Sequence, residues 1–429
     1  PNFRPLAPVR VGGARSGMSK SAFNQGVDDG QVGAGVLTAA VRGSNQSGMR
    51  AHNERLVLTL LRQRGPLAKA DIARTTGLSA QTVSVIMRAL ERDGLLTRGE
   101  PQRGRVGQPS VPMALAADGA YFLGLKVGRR SLDLVLIDFV GRVEGRVHIT
   151  HKFPTPEGVV RFANSAIDQL LGQLTGPQRA RVSGLGIAIP FQLWDWAKPL
   201  GVKPGELAEW RDRDVAREIA ENWDFPVYLK NDASAACGAE LVFGEKDRPS
   251  DFLYFFIGFF VGGGLVVDNA LYTGRTGNAA ALGSIPLGIS GSQTRQLVDV
   301  ASLASLENAL IAVGGNGDMI WENPKSWSVP DAILDHWMDE ACEGLAYAIL
   351  SAVCLIDFPQ ARIDGWLPDD IRAEIVKRTR ARVATANLAG VATPDVRSGT
   401  IGSDARSLGA ASLPLSERFL VDKDAFLMR

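Results

Sequence analysis

A group of short polar side chains between positions 79 and 92 has the chemistry of a hydrogen-bonding surface. Apolar residues recur there at helical spacing, so the opposite face of the same helix carries small, polar or amide side chains. Such side chains suit the major groove of DNA, whereas a face that contacts only water more often carries Glu and Lys. The inward set is Val83, Ile86, Met87 and Leu90, and the predicted DNA-contacting set is Ser79, Ala80, Gln81, Thr82, Ser84 and Arg88.

Arginines interrupted by glycines follow this stretch. Two short apolar runs, 95–98 and 111–115, flank them and predict a two-stranded hairpin with a long basic tip. On such a tip, arginines contact phosphates or enter the minor groove. The arginines of this tip are Arg98, Arg103 and Arg105, and we add Arg103 and Arg105 to the predicted DNA-contacting set. A mobile surface loop is the alternative.

A second pair of chemically interesting residues, Asn231 and Asp232, follows a short apolar run that predicts a strand. A carboxylate at the end of a strand can bind a hydroxyl of a small ligand. Asp232 also stands immediately before the helical run 233–241, where it could instead be the N-cap. Both readings stay open for Asp232, and the pair forms our candidate ligand-binding site.

The sequence predicts no metal and no cofactor. Cys237, Cys342 and Cys354 are at no zinc-binding or disulfide-framework spacing, which fits a reducing cytoplasm. The four histidines lack ligand spacing, and we expect the close pair His148 and His151 to be surface residues at the end of a strand.

Three helices, about 50–65, 69–75 and 79–92, must position the polar face. Ala73, Gly77, Val83 and Ile86 have the spacing of a helix-turn-helix. In that motif the alanine permits close helix crossing and the glycine adopts the positive φ of the turn. Ser79 is the expected N-cap of the third helix.

Charged residues are distributed unevenly, with an excess of basic residues in the first 110 positions and of acidic residues in the rest. Residues 1–110 hold 16 Lys and Arg against seven Asp and Glu, whereas residues 111–429 hold 31 against 39. The basic part comprises a Gly- and Ser-rich arm, 1–49, and a winged helix-turn-helix, 50–115.

No signal peptide and no run long enough to span a membrane are expected, since the most apolar stretch has only 15 residues, 253–267.

The remainder alternates apolar strand runs with helical runs, in an order that occurs twice. Its patterns predict, among other elements, helices at 212–222 and near 298–312 and a hairpin at 252–272. This order predicts two α/β lobes around a cleft, lobe 1 at 116–235 and lobe 2 at 236–429. We expect the carboxy-terminal segment, about 403–429, to pack back on lobe 1.

The order of these motifs resembles that of the ROK family of sugar kinases and sugar-responsive repressors. It includes Gly-Gln-Pro at 107–109, Gly-Leu-Gly-Ile-Ala-Ile-Pro at 184–190, Lys-Asn-Asp at 230–232 and Ser-Asp-Ala-Arg-Ser-Leu-Gly-Ala-Ala at 403–411. The resemblance implies an α/β fold: a winged helix-turn-helix followed by a two-lobed actin-like, ribonuclease-H-like body around a sugar cleft. It also implies a homodimer or tetramer.

Both phosphate loops depart from the pattern of the family's kinases. The first, Asp-x-Gly-Gly-Thr in kinases, corresponds to 126–130, where Lys126 replaces the acid and Arg129 and Arg130 fill a loop that must be small. The second, Gly-Thr-Gly-Ile-Gly, corresponds to 258–262, where Phe259 and Phe260 introduce bulk. ATP-dependent phosphoryl transfer is therefore not expected.

The sugar side is altered as well. Ala281 and Ser284 replace the family's sugar-binding acid and its histidine, Phe191 follows the Ile-Pro turn, and residues 285–300 contain no cysteine or histidine for a structural zinc.

Taken together, these motifs and departures lead us to expect a cytoplasmic transcriptional regulator of the repressor type that binds double-stranded DNA and is not an enzyme. A sugar or sugar derivative is the candidate effector. A divergent sugar kinase and a ligand-independent DNA-binding scaffold are the alternatives.

Overall fold

The protein is described by a computed structural model over residues 46–101, 111–191, 193–196, 203, 205–290, 293–386 and 388–421. The arm predicted for 1–49 lies outside this range except for its last four residues. These already belong to the first helix, because polar residues extend it without contributing to the apolar period. Within the described residues, no helix is both long and apolar enough to cross a membrane.

The amino-terminal module has three helices and a small hairpin. These are α1 (Gln46–Arg64), α2 (Lys69–Thr76), α3 (Ala80–Arg92), β1 (Leu96–Arg98) and β2 (Met113–Leu115), with β1 and β2 antiparallel. Gly77 has a φ of 72°, and its N–H donates to the carbonyl of Ala73 at 3.0 Å, which closes α2 as the helix-turn-helix spacing predicts.

Lobe 1 is a five-stranded sheet in the order β5-β4-β3-β6-β7, with helices packed against it. Strands β3, β4 and β5 are antiparallel neighbours, whereas β6 and β7 run parallel to β3. The elements are β3 (Tyr121–Val127), β4 (Ser131–Ile137), β5 (Val143–Thr150), α4 (Pro156–Gly172), α5 (Gly176–Arg179), β6 (Val182–Ile189), α6 (Val215–Ala220) and β7 (Val227–Asn231). The helix predicted at 212–222 is shorter, because Asp214 caps it at the amide of Arg217.

Lobe 2 repeats this topology in the sheet order β10-β9-β8-β13-β14. Its first elements are α7 (Asp232–Phe243), β8 (Phe252–Ile257), β9 (Val261–Val267), β10 (Ala270–Tyr272), β11 (Pro286–Ser290), β12 (Gln293–Gln296), α8 (Leu297–Ala301) and α9 (Leu303–Ala312). They are followed by α10 (Met319–Glu322), α11 (Asp331–Ile356), β13 (Gln360–Gly365), α12 (Asp369–Thr385), β14 (Asp395–Ser398) and α13 (Ala405–Phe419).

Two predictions in lobe 2 were too coarse. The hairpin expected at 252–272 is a three-stranded meander, β8-β9-β10. The single helix expected at 298–312 is interrupted at Ser302, whose backbone is extended (φ −89°, ψ 149°) and whose hydroxyl accepts a hydrogen bond from the amide of Val261 at 3.0 Å. The hydrogen bond to β9 thus accompanies a break in a segment whose residues would all fit a single helix.

Helix α13 returns to lobe 1 and packs between its sheet and α7. Small residues permit the close approach. A Cβ on Gly186 would lie 1.8 Å from the carbonyl oxygen of Ala410, and a Cβ on Gly409 would lie 1.9 Å from that of Ala235. The carboxy-terminal helix is therefore part of the core of the body.

Candidate DNA-binding surface and ligand cleft

Helix α3 is anchored at its start by the predicted cap. The hydroxyl of Ser79 accepts from the amide of Thr82 at 3.1 Å and lies 2.8 Å from the Thr82 hydroxyl. This arrangement satisfies a free backbone donor of the first turn and fixes the direction from which the helix begins. Ser79 and Thr82, two residues of the predicted DNA-contacting set, therefore also stabilise the first turn of α3.

The side chains of α3 fall into three classes of solvent exposure. Ala80, Gln81 and Arg88 are exposed, Thr82 and Ser84 are half-buried, and the predicted inward set of Val83, Ile86, Met87 and Leu90 is buried. Arg88 donates from Nε to the Ser84 carbonyl at 3.1 Å.

Sequence reasoning missed Val85, which is 46% exposed and one turn from both Gln81 and Arg88. A valine in an apolar-periodic helix is normally assigned to the core. Its position between two outward residues was the available signal. An exposed valine on this face can contact the methyl group of thymine.

The hairpin is tied to α3 through Arg98. Its Nε and Nη2 donate to the two carboxylate oxygens of Glu91 at 2.6 and 3.1 Å, which lowers the pKa of Glu91. Arg98 thus orients the base of the hairpin against the last turn of α3. Arg103 and Arg105 lie outside the described residues.

The amino-terminal module shares its hydrophobic core with lobe 1. Val57 and Leu61 of α1 belong to the same buried cluster as Phe122, Phe139 and Phe419. The ring of Phe419, at the end of α13, lies 4.9 Å from that of Phe139 and 5.8 Å from that of Phe122. Helix α13 therefore contacts both the sheet of lobe 1 and the amino-terminal module.

Polar contacts reinforce this junction. Arg181 of lobe 1 donates from Nη1 to the carbonyl of Gly94, just after α3, at 3.4 Å. Arg62 of α1 donates to the carbonyl of Phe139, and burial lowers its pKa to about 10. The amide of Val421 donates to the Thr59 hydroxyl at 3.1 Å. The module and the body are thus joined by hydrogen bonds as well as by a common core.

A cavity of about 430 Å³, here called the cleft cavity, lies where the two lobes meet. Polar and apolar side chains from both lobes line it, including Phe191, Asn231, Asp232, Phe259, Phe260, Asn278, Ala281, Ser284, Gln296, Asp299 and Arg406. The structure therefore brings the predicted ligand pair together with the altered positions at 191, 281 and 284.

The N-cap of α7 is Asn231, not Asp232. The amide oxygen of Asn231 accepts from the backbone N–H groups of Ala233 and Ser234 at 3.1 and 3.2 Å. Asp232 accepts once from Ala233 through Oδ1 at 2.9 Å, and its Oδ2 lies 3.4 Å from Nη1 of Arg406. Both residues line the cleft cavity, and Asp232 is the member of the pair whose carboxylate contacts a cationic side chain of the same lining.

A second cavity of about 560 Å³, here called the basic cavity, adjoins the first and shares Arg129, Phe259 and Arg406 with it. Its charged lining is Lys126, Arg129, Arg130, Lys152 and Arg406 against Asp318 and Glu322. Lys126, at 4% exposure, is buried and donates to the hydroxyl of Ser131 at 3.0 Å. Burial and the nearby Arg406 lower the pKa of Lys126 to about 7.

The two altered loops touch each other. The guanidinium carbon of Arg129 lies 3.7 Å from the ring centre of Phe259, a cation–π contact across the cleft. Next to it, Arg130 pairs with Glu307 of α9 and Asp318 of the segment before α10. These contacts join the two lobes through the residues that replace the kinase loop sequences.

The expectation that His148 and His151 are surface residues holds for only one of them. His148 is 45% exposed in its side chain, with Nδ1 3.8 Å from Asp133. The ring nitrogens of His151 are buried. Both residues line the basic cavity, and burial lowers the pKa of each. Among the described residues there is no cluster of His, Cys, Asp and Glu suited to a metal ion.

Comparison with known proteins gives two family matches. A family model described as "ROK family" matches residues 122–297, and one described as "Winged helix-turn-helix DNA-binding" matches residues 50–97.

Curated relatives include an uncharacterized protein of Sinorhizobium fredii, 25% identical over 86% of this chain and 91% of that protein. The xylose repressor of Bacillus subtilis is 24% identical over 58% of this chain, which spans 64% of the repressor's length. A transcriptional regulator of Mycobacterium tuberculosis is 26% identical over 60% of each chain.

Two solved structures show the same fold. A ROK family transcriptional regulator, described as a homolog of the Escherichia coli MLC protein, has a TM-score of 0.64 at 19% identity and covers 86% of this chain and 97% of its own. A ROK family glucokinase from Streptomyces griseus, in complex with glucose and AMPPNP, has a TM-score of 0.55 at 20% identity and covers 68% of this chain and 99% of its own.

Proposed function

We propose that this chain, in which a winged helix-turn-helix precedes a ROK family domain, is a DNA-binding transcriptional regulator of the repressor type. The observation that carries the proposal is α3. It is capped by Ser79, fixed on the hydrophobic core, and presents Gln81, Val85 and Arg88 outward. A rigid helix with an amide, an apolar and a guanidinium side chain on one face supplies the contacts that major-groove recognition uses.

Binding to DNA is tested by a gel-shift series over salt concentration, with fragments selected from a random pool. A protein that neutralises about six phosphates gives a slope of log K against log salt near −5. A slope near zero, or equal affinity for selected and random duplexes, would refute the proposal.

The variant Arg88→Ala separates base reading from phosphate binding. It should lower affinity for the selected fragment by about 1–3 kcal/mol and affinity for random duplex by much less. The matched control is Arg217→Ala on the body, since that side chain is 78% exposed and, within the part of the chain that the structure describes, its ion pair is with the helix neighbour Glu221.

The cleft cavity is the proposed site of a sugar or sugar derivative. Its volume of about 430 Å³ is in the range of small-molecule sites, and Asp232, Asn278 and Ser284 supply polar groups for hydroxyls. The likeness to proteins named xylose repressor supports this class of ligand. A carbohydrate that raises the melting midpoint of the protein, but not of Asp232→Ala, would establish it. If no carbohydrate does so, the ligand-independent scaffold is the better description.

We further propose that the protein acts in the cytoplasm as a homodimer or tetramer. Paired recognition helices then read two half-sites, and a ligand that changes the angle between the lobes changes their spacing. Sedimentation of the purified protein with and without an operator fragment measures the oligomeric state directly.

Phosphoryl transfer is not part of the proposed function. Lys126 stands where the family's kinases have an acid, and the Arg129–Phe259 contact occupies the space between the two loops. The rival, a divergent sugar kinase, predicts sugar-dependent ATP turnover that Asp232→Asn abolishes. Detecting a phosphorylated sugar after incubation with ATP, magnesium and a carbohydrate panel would decide for that rival.

A further inference from the structure

The cleft cavity has an apolar portion beside its polar groups. Asp232, Asn278 and Ser284 provide partners for the hydroxyls of a sugar ring. The apolar portion of the lining is formed by Phe191, Leu193, Phe256, Phe259, Phe260 and Val261. A cavity of about 430 Å³ accommodates a molecule larger than one sugar ring. The cavity therefore has apolar surface that the hydroxyls of a sugar would leave uncovered.

Part of this apolar surface is carried by the three-residue turn between β8 and β9, residues 258–260. The first two residues of α9 hold the turn in place. The amides of Leu303 and Ala304 donate to the carbonyls of Gly258 and Phe259, both at 3.0 Å. These bonds satisfy two of the free backbone donors at the start of α9 and fix the turn that carries the two rings.

The two phenylalanines of this turn have different surroundings. Phe259 is only 9% exposed, because the guanidinium of Arg129 lies 3.7 Å from its ring centre and the ring of Trp321 lies 5.8 Å away. Phe260 is half-buried and lines the cavity, with its ring 4.6 Å from that of Phe259 at an interplanar angle of 69°. Phe259 thus supports Phe260, and Phe260 is the ring with surface left for a ligand.

This ring lies close to the group that would bind a hydroxyl. Strand β9 begins one residue after Phe260. Its Gly262 approaches Ala233, the neighbour of Asp232, so closely that a Cβ on the glycine would lie 2.7 Å from the Cβ of Ala233. A ligand in the cleft cavity can therefore contact the ring of Phe260 and the carboxylate of Asp232 at the same time.

We propose that the cleft cavity binds an aryl glycoside, a sugar whose anomeric oxygen carries an aromatic ring, and that Phe260 contacts this ring. The inference rests on the proposed binding of a sugar derivative in the same cavity and names the class of that derivative. The sugar hydroxyls bond to the polar groups around Asp232, while the aromatic ring packs on Phe260 and leaves water. Paired aromatic rings attract each other beyond the effect of the buried area, so the ring adds both affinity and selectivity.

Calorimetric titration of the full chain with matched pairs of compounds tests the proposal. The probes are the methyl and phenyl β-D-xylopyranosides, the methyl and phenyl β-D-glucopyranosides, and phenol as the ring without a sugar. For at least one of the two sugars, the phenyl glycoside should bind roughly 10- to 100-fold more tightly than the methyl glycoside, because its ring buries additional apolar surface. Equal affinities within both pairs, or phenol that binds as tightly as the phenyl glycosides, would overturn the proposal.

The variant Phe260→Ala assigns the contact with the ring. It should reduce the ratio of phenyl to methyl glycoside affinity to below about threefold, since the partner ring is gone. Because the ratio is taken within one variant, a general loss of binding capacity cancels. A ratio in Phe260→Ala as large as that of the parent would place the aromatic ring elsewhere and refute the assignment.

The matched control is Tyr347→Ala. It also removes an aromatic ring, but Tyr347 is 49% exposed on α11 and is not among the described residues that line the cleft cavity. The ratio of the two affinities should equal that of the parent. A ratio that falls as far as in Phe260→Ala would mean that the loss is not specific to the cavity, and the proposal would be wrong.

The heat capacity change of binding gives a second reading that needs no variant. Removing apolar surface from water makes this change negative. Titrations of the parent over a range of temperatures should give a more negative value for the phenyl glycoside than for the methyl glycoside of the same sugar. Equal values would mean that the ring stays in water, which contradicts the proposal.

The outcome is separable from that of the proposed function, because selection of DNA fragments is measured without any glycoside. If phenyl and methyl glycosides bind equally, the sugar-responsive regulator stands and this inference fails. If no glycoside binds, the proposed sugar binding and this inference fail together. The selection of DNA fragments still decides, in each case, whether the chain is a DNA-binding regulator.

Discussion

Replacing Lys126 with methionine should stabilise the protein at neutral pH. In the folded chain, burial holds the pKa of Lys126 near 7, against 10.5 in the unfolded chain. Between these values the unfolded chain binds more protons, so the free energy of unfolding rises as pH increases through this interval. The destabilisation due to Lys126 is therefore complete below about pH 7 and absent above about pH 10.5.

The size of the effect follows from the difference in pKa. At 1.36 kcal/mol per unit, folding with a lysine of this kind costs roughly 4 kcal/mol at pH 7 and roughly 2 kcal/mol at pH 9. Methionine fills similar volume without a charge, and it gives up the hydrogen bond to Ser131, which is worth about 1 kcal/mol. The expected net gain is about 3 kcal/mol at pH 7 and about 1 kcal/mol at pH 9.

Urea unfolding of the parent, Lys126→Met and the surface control Lys377→Met at these two pH values measures the difference directly. The diagnostic quantity is the change in the gain between the two pH values, about 2 kcal/mol. A gain that is equal at both values means that Lys126 keeps an ordinary pKa in the folded chain. The reasoning about the basic cavity would then lose its electrostatic basis, whatever the variant does to stability.

Three further changes probe other parts of the molecule. Arg362→Ala should cost about 3–5 kcal/mol in urea unfolding, because it leaves Glu240 charged and fully buried beside it; a cost below about 1 kcal/mol would show that the ion pair is unimportant. Phe419→Ala should cost about 3–5 kcal/mol and speed amide exchange in α1, since its ring fills the core shared by the module and lobe 1; unchanged exchange in α1 would contradict that coupling. Ser79→Ala should cost about 1 kcal/mol by removing the cap of α3 and weaken binding to all DNA sequences alike in gel shifts, while a loss confined to selected fragments would mean that Ser79 reads a base.

Local patterns in the sequence were enough to predict the reading helix and the two lobes of strands and helices that follow it. The cap at Ser79 and the turn at Gly77 depend on side chains and φ values of adjacent residues, and a linear pattern records those. The strands β3 and β8 are buried on both faces, so they read as continuous apolar runs.

Features decided by distant partners could not be predicted in the same way. The break at Ser302 depends on the amide of Val261, which lies 41 positions away. The pairing of Arg130 with Glu307 spans 177 positions, so the arginines of the altered loop were expected to block a ligand rather than to join the lobes. The sequence offered Asp232 as the cap of α7, whereas the cap is Asn231, because both are good capping residues and only the backbone conformation at Asn231 decides between them.

The core shared by the amino-terminal module and lobe 1 limits which segments of the protein can be exchanged for those of another protein. Val57 and Leu61 of α1 are buried in the same cluster as Phe419 at the end of α13, although these helices are far apart in sequence. A chimera that exchanges the reading module at the loop after β2 would pair a foreign α1 with the resident end of α13 and leave mismatched apolar surfaces. The unit to transplant, when a new sequence preference is wanted on this body, is residues 46–115 together with the last turn of α13.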